Sequence, residues 1–338
     1  MKQIKGFVFA AVIAALAGTG FAQSEEVMED LSTAVQQGIE TFEWGLLLEA
    51  EGAYAKTGDE QQSDLILATV EFTADAAVTE WLSGHVGLLW EEDATDPMAL
   101  DEGFITIGTG FYAQAGKYYL PFGNFETAFI SDPLTLELAE INKSSVLVGY
   151  ATSVFDVSAG AFKGDNEDVI QNVYAAANVN IGETAVAGIY FLSDLLETDG
   201  NADLNTLAGT DRQAGAGAYA NVYLGPVTLN GEFVTALSEY TFFGQDYLPM
   251  AYHIEASVGF AEKWVAGLKF EGSDDFWTTF DDPDAPTALD GLFHESAVGG
   301  VISHGFHDNA VIGVEYMRLM NKGADDADLV TVQLALEI

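Results

Sequence analysis

From Trp44 to the end of the chain, apolar residues recur at every second position in short segments, a period that suits a strand and not a helix. Sixteen such segments are predicted: 44–55, 63–75, 77–90, 103–109, 111–119, 144–152, 154–163 and 170–181, then 184–193, 213–224, 226–236, 251–261, 263–271, 293–305, 309–320 and 328–338. Most lie near the roughly 9 to 11 residues that a tilted strand needs to cross a bilayer. In the last of them Val330, Val332, Leu334, Leu336 and Ile338 share one face, while Thr331, Gln333 and Glu337 share the other. Tyr252, Ile254, Ala256, Val258 and Phe260 oppose His253, Glu255 and Ser257 in the same way. One face suits lipid and the other water. A closed sheet is the only strand arrangement that leaves no backbone group unpaired in lipid.

The connections sharpen this reading. Tight links are predicted at Asp75-Ala76, Gly110, Ser153, Gly182-Glu183, Gly225, Glu262 and Gly305 to Asp308, each after an even-numbered segment. The links after odd-numbered segments are longer and polar, at 56–62, 91–102, 120–143, 164–169, 194–212, 237–250, 272–292 and 321–327. Short turns on one rim and long loops on the other are the layout of an outer-membrane barrel. The expected fold is therefore all-β, a transmembrane antiparallel β-barrel of about 16 strands over residues 44–338. Aromatic residues near segment ends, such as Tyr54, Trp90, Tyr119, Tyr150, Trp264 and Tyr316, suit its interfacial girdles. Ahead of the barrel, Met1 to Ala22 reads as a signal peptide, with Lys2 and Lys5 before an apolar core. Residues 23–43 then carry Val27, Leu31, Ala34, Val35 and Ile39 at helical spacing, and a short periplasmic helix is expected there.

Charge narrows the function. The chain has 11 Lys and Arg against 53 Asp and Glu, a formal net charge of −42. Nucleic acid is excluded as a partner, because its recognition depends on basic residues that neutralise phosphates. Cations are favoured. With 49% hydrophobic residues and no cysteine, the chain is neither a solvated acidic tail nor a disulfide scaffold.

Facing places Glu49, Glu51, Glu71, Lys117, Glu232, His253, Glu255, Lys269, Glu271, Glu315 and Glu337 on the watered side, where the excess of carboxylates makes the lumen negative. The longest break falls at Leu120 to Lys143. Pro121 and Gly123 end the strand, Pro133 lies within the same stretch, and Phe122, Phe125, Phe129, Leu134, Leu136, Leu138 and Ile141 are too apolar to be left in water. The stretch is expected to fold into the lumen as a constriction. Phe122, Phe125 and Phe129 would lie against the wall, and Glu126, Asp132, Glu137 and Glu140 would face the path; a cap on the rim is the alternative. No cofactor is expected, although the acidic loops at 194–203, 274–275, 281–284 and 325–328 could hold Ca²⁺. No two of the five histidines have convincing metal spacing, and His253 and Ser257, about 13 Å apart by strand rise, are too distant for a hydrolase pair.

The stretch Gly116 to Tyr150, GKYYLPFGNFETAFISDPLTLELAEINKSSVLVGY, resembles the LbtU family of siderophore porins. The family's Pro-Phe-Gly-x-Phe-Glu turn is matched at Pro121 to Glu126, its Ile-Ser-Asp-Pro-Leu-Thr at Ile130 to Thr135, and its Gly-Tyr at Gly149-Tyr150. The resemblance implies a roughly sixteen-stranded gram-negative outer-membrane barrel, embedded in outer-membrane lipid, that passes or binds a ferric siderophore in iron transport. Read without it, the residues allow a general cation-preferring diffusion porin for small hydrophilic solutes, or a surface adhesin barrel. No enzyme activity is expected, and with so few residues ahead of the barrel, passive passage is expected over energy-coupled transport. The sequence names no protein partner.

Overall fold

The computed structural model describes residues 39–92, 98–201, 212–242, 245–275, 294–321 and 325–338. Alternation over these residues produces β1 (Thr41–Thr57), β2 (Glu60–Thr79), β3 (Leu82–Glu91), β4 (Met98–Gly108), β5 (Phe111–Tyr119) and β6 (Asn142–Ala151). These are followed by β7 (Phe155–Phe162), β8 (Asn172–Ile181), β9 (Ala185–Leu192), β10 (Gly215–Leu224) and β11 (Val227–Ala236). A small hairpin, β12 (Tyr240–Phe242) and β13 (Gln245–Tyr247), stands apart in the next loop. The remaining strands are β14 (Met250–Phe260), β15 (Trp264–Asp274), β16 (Ser296–His307), β17 (Ala310–Met320) and β18 (Ala327–Glu337). Apart from the hairpin, each strand pairs antiparallel with its neighbours in sequence, and β1 pairs with β18 from Leu47 opposite Glu337 to Thr57 opposite Ala327. The result is a closed sixteen-stranded antiparallel barrel. No sheet edge is left in lipid.

Period two divides the strands as the sequence requires. Ile254 and Leu268 are 64% and 70% exposed on the outer face, while their neighbours His253, Glu255 and Lys269 are each 1% exposed within. At the rim of short turns, Trp264 stacks on His304 with ring centroids 4.3 Å apart, and Phe111, Tyr150 and Phe155 form a second aromatic group. Among the described residues no helix is long and apolar enough to cross a membrane; the crossing is made by strands.

Several boundaries differ from the sequence reading. The first strand begins at Thr41, inside the stretch assigned to the periplasmic helix, and the rest of that helix and the signal peptide lie outside the described residues. No turn forms at Asp75-Ala76: β2 runs on to Thr79, and Asp75 stays in register opposite His85. Ala76, placed by the sequence analysis in a tight link with Asp75, continues the ladder opposite Gly84. The predicted loop at 56–62 shrinks to a turn at Gly58-Asp59, because the polar residues from Glu60 to Ser63 pair with β1 above the lipid-facing belt.

Between β5 and β6 the chain leaves the wall and runs inside the barrel. It contains one short helix, α1 (Leu134–Ala139), which follows Pro133 and buries Leu134 and Leu138 one turn apart. In the sequence, Leu134, Leu136 and Leu138 fall in the long break between two strands, with no helix expected there. Here the helical period decides, and Leu136 is left on the less buried side. The core of the molecule lies between this segment and one side of the wall: Phe122, Leu134, Leu138 and Ile141 pack with Leu147, Phe162, Tyr174, Tyr190, Leu192 and Val234. The loop between β9 and β10, from the same rim, closes over it. Leu195 joins the same core, and Gly200 lies so close to α1 that a Cβ there would collide with the Glu137 carbonyl oxygen.

Candidate functional site: an acid-lined passage beside the inserted segment

The inserted segment is fastened to the wall through its own backbone. After Pro121, Gly123 adopts φ +126°, and the Phe125 ring occupies the space where a side chain at 123 would sit. This left-handed step, which glycine takes without strain, turns the chain toward the wall. The amides of Asn124 and Phe125 then donate to the two oxygens of Glu232 on β11, at 2.8 and 2.9 Å. Thr127 Oγ1 and the Ala128 amide donate to Glu255 on β14, at 2.6 and 2.9 Å. The amides of Ile130 and Ser131 share one oxygen of Glu315 on β17, at 2.7 and 3.1 Å. The Leu134 amide, at the start of α1, donates to Glu271 on β15 at 3.1 Å.

Basic and aromatic groups complete the contact. Lys269 Nζ donates to the Ser131 carbonyl at 3.0 Å, lies 3.6 Å from Glu271, and sits 4.7 Å from the centre of the Phe129 ring. His253 Nδ1 is 2.8 Å from Thr135 Oγ1. Phe122 meets Tyr190 edge to face at 4.9 Å, Phe125 packs at the margin of the main core, and Phe129 packs with Ala297, Val301 and Met317.

Of the predicted lining residues, Glu337 lies exposed at the end of β18, and the others fall into three groups. Glu49, Glu51 and Glu71 lie half-buried on the inner face of β1 and β2, and Gln333 donates to Glu51 at 2.8 Å. Glu232, His253, Glu255, Lys269, Glu271 and Glu315 point inward as expected but lie under the segment, each at most 4% exposed, and do not line an open path. Lys117 belongs to neither group: Gly116, at φ +146°, sits in the strand, and Lys117 shares the outer face with Ala115 and Tyr119 and donates to the Leu100 carbonyl near the rim.

The segment's own acids divide as well. Glu126 does not face the path; it turns to the wall and accepts from Asn221 at 2.6 Å and from Tyr223 at 3.0 Å. Asp132 and Glu137 are exposed on the opposite side of the segment, with Glu140 half-buried beside them. Across from them stand Glu49, Glu51, Glu71 and Glu102 on the inner face of β1, β2 and β4. Glu102 was read as loop in the sequence. Its register opposite Gly87, past a bulge in β3 and β4, brings it inward beside His85, which also holds Asp75 at 2.8 Å.

Charges along this passage are of one sign. Asp132 is accessible to water yet enclosed by wall, and this desolvation raises its carboxyl above the usual range; Lys269 opposes the shift, and Glu51 and Glu315 add to it. Burial raises Glu137, and Asp132 and Glu271 push in the same direction. Glu140 is raised to about 8, first by burial and then by Asp199, Asp132 and Glu137. Among the described residues no Lys or Arg stands across the passage. Lys269 is beneath the segment, Lys143 is engaged by Asp165 and Glu197, and Arg212 by Glu167. Lys56, Lys117 and Arg318 belong to the outer face, Lys263 to a turn, and Lys163 is exposed past β7.

Loop acids considered for Ca²⁺ have other partners. Asp194 accepts from the amides of Leu196 and Gln213, Asp199 from that of Asn142, and Asp326 and Asp328 from Arg318. Residues 281–284 lie outside the described residues. Among the described residues no three His, Asp or Glu are arranged to hold a metal ion.

A closed sixteen-stranded barrel with a lipid-facing belt, an inserted loop and long loops on a single rim defines an outer-membrane barrel of the porin type. No protein-family model matches the chain. A UPF0422 protein of Coxiella burnetii is 22% identical over 246 residues, which cover 63% of this chain and 52% of that one. A UPF0422 protein of Legionella pneumophila strain Philadelphia 1 is 28% identical over 131 residues, 35% of this chain and 25% of that one. The matched residues thus span about half the length of the first relative and a quarter of the second. Among solved structures, OmpF of Salmonella typhi in complex with daunomycin superposes with a TM-score of 0.67 at 9% identity, covering 90% of this chain and 99% of that one. An anion-selective porin from Comamonas acidovorans gives 0.62 at 11%, covering 88% and 99%. OprB of Pseudomonas putida gives 0.62 at 11%, covering 91% and 96%. At these identities the likeness is one of fold.

Proposed function

We propose that the protein is a non-enzymatic diffusion channel of the outer membrane that prefers cations. One observation carries this reading: the passage has carboxylates on both banks, Asp132, Glu137 and Glu140 on the segment and Glu49, Glu51, Glu71 and Glu102 on the wall, with no Lys or Arg between them among the described residues. A low-dielectric wall focuses such a field, raising the local concentration of cations and excluding anions. The test is the reversal potential of the purified protein in a planar bilayer under a KCl gradient. A potential of the sign set by K⁺ flow is expected, and an anion-preferring potential or no conductance overturns the reading.

The Gly116 to Tyr150 resemblance supports a narrower solute, a ferric siderophore. An acidic passage admits such a complex only when it carries no net negative charge. Growth on ferric siderophores of different charge as sole iron source, with and without the gene, tests that step. Support for cationic or neutral complexes alone is expected, and equal growth with and without the gene for every complex removes the siderophore.

A further inference from the structure

We propose that Glu232 is a positioning residue that sets the width of the passage by holding the inserted segment in one place, without itself contributing to ion selectivity. The inference rests on the channel reading only for its electrical readout. A carboxylate has four acceptor sites and no donor. Glu232 receives four donors: the Asn124 amide and the Tyr190 hydroxyl on one oxygen, the Phe125 amide and Thr135 Oγ1 on the other, at 2.8, 2.8, 2.9 and 3.4 Å. Three of the four come from the segment, from both its descending arm and α1. At 4% exposed, Glu232 has little water to replace them, so its charge and the docked segment depend on each other. It is not on a bank of the passage: Asn124, Phe125 and Thr135 of the segment cover it.

The pattern of acceptors separates this role from one in selectivity. In Glu232→Gln the amide must turn its NH₂ toward a backbone N–H whichever way it is flipped, because the two segment amides go to different oxygens. In Glu315→Gln the carbonyl serves both amides, because Ile130 and Ser131 share one oxygen, and among the described residues Glu315 Oε1 has no hydrogen-bond partner for the NH₂ to displace. Both substitutions remove one charge from the inner wall.

The experiment compares the two variants in the folded barrel by single-channel recording and by limited proteolysis with proteinase K. Glu232→Gln is expected to show openings that interconvert between the parent level and a larger one at a nearly unchanged reversal potential, and cleavage within 124–131 about tenfold faster than in the parent, the factor expected for losing one charge-assisted hydrogen bond. Glu315→Gln is expected to keep a single level and the parent's resistance. Should Glu232→Gln not fold, Glu232→Asp keeps the charge but loses the reach, and the same sublevels and cleavage are expected. Equal shifts of reversal potential in both variants at one unchanged conductance overturn the proposal. Parent-like behaviour of Glu232→Gln in both assays does so too. Proteolysis reads the docking of the segment even if the parent does not conduct, so failure of the channel reading remains distinguishable.

Discussion

Asp132 and Glu137 stand exposed on the passage side of the segment, and neutralising both removes two charges from one bank. Asp132→Asn with Glu137→Gln should move the KCl reversal potential toward zero while the barrel stays folded, and an unchanged potential would place the path elsewhere. The raised groups give the parent a pH dependence of known sign. Glu140 at about 8, with Asp132 and Glu137 also raised, is largely protonated near neutrality and gains charge as pH rises. Cation preference should therefore strengthen between pH 6 and about 9, and a flat profile over that range would contradict these assignments. Stability runs the other way. Glu140 binds its proton more tightly in the folded state than its ordinary 4.5, so its contribution is full below that value and is lost as pH rises through about 8.

Most of this was only half legible in the sequence. Period two identified Glu232, Glu255 and Glu271 as inward, but could not tell an inward residue in water from one beneath a loop, because that difference depends on contacts more than 90 positions apart in the chain. Half of the hydrogen-bond donors to these carboxylates are backbone amides, which carry no residue-specific signal.

At the scale of elements, the inserted segment behaves as a small core element and not as a free loop. Leu138 is fully buried beneath α1, and Leu138→Ala should cost about 2–4 kcal/mol, read as a lower temperature for the heat-induced gel shift of the folded barrel. Gly200→Ala should have a similar effect from the opposite side, since a methyl group there meets the backbone of α1 and not a side chain that can move. If both variants melt with the parent, α1 is not part of the cooperative unit. The strands themselves were legible almost throughout, because lipid outside and water or core inside impose one period on each of them. The exceptions have local causes. A six-residue helix is too short to display its period, so α1 reads only as part of the long break. The alanines after Ala74 have no strong facing preference, which hid the continuation of β2.

On the scale of the whole molecule, the segment does not fill the barrel symmetrically. It lies along β11, β14, β15 and β17, buries the interior of β6 to β9, and leaves its acidic side toward β1, β2 and β4. Removing Asn124 to Glu140 should raise single-channel conductance sharply and weaken cation preference, because the deletion takes away one bank of the passage; an unaltered conductance would mean that the segment does not restrict flow.

Because the chain has no cysteine, this asymmetry can be mapped by chemical labelling. A thiol placed at Glu51 should react readily with a small water-soluble reagent, and faster with a cationic one than with an anionic one. A thiol placed at Ala176, which also points into the barrel but is 8% exposed within the core, should stay protected. Two positions on the inner face of one cylinder would then differ as a channel wall differs from the interior of a soluble protein.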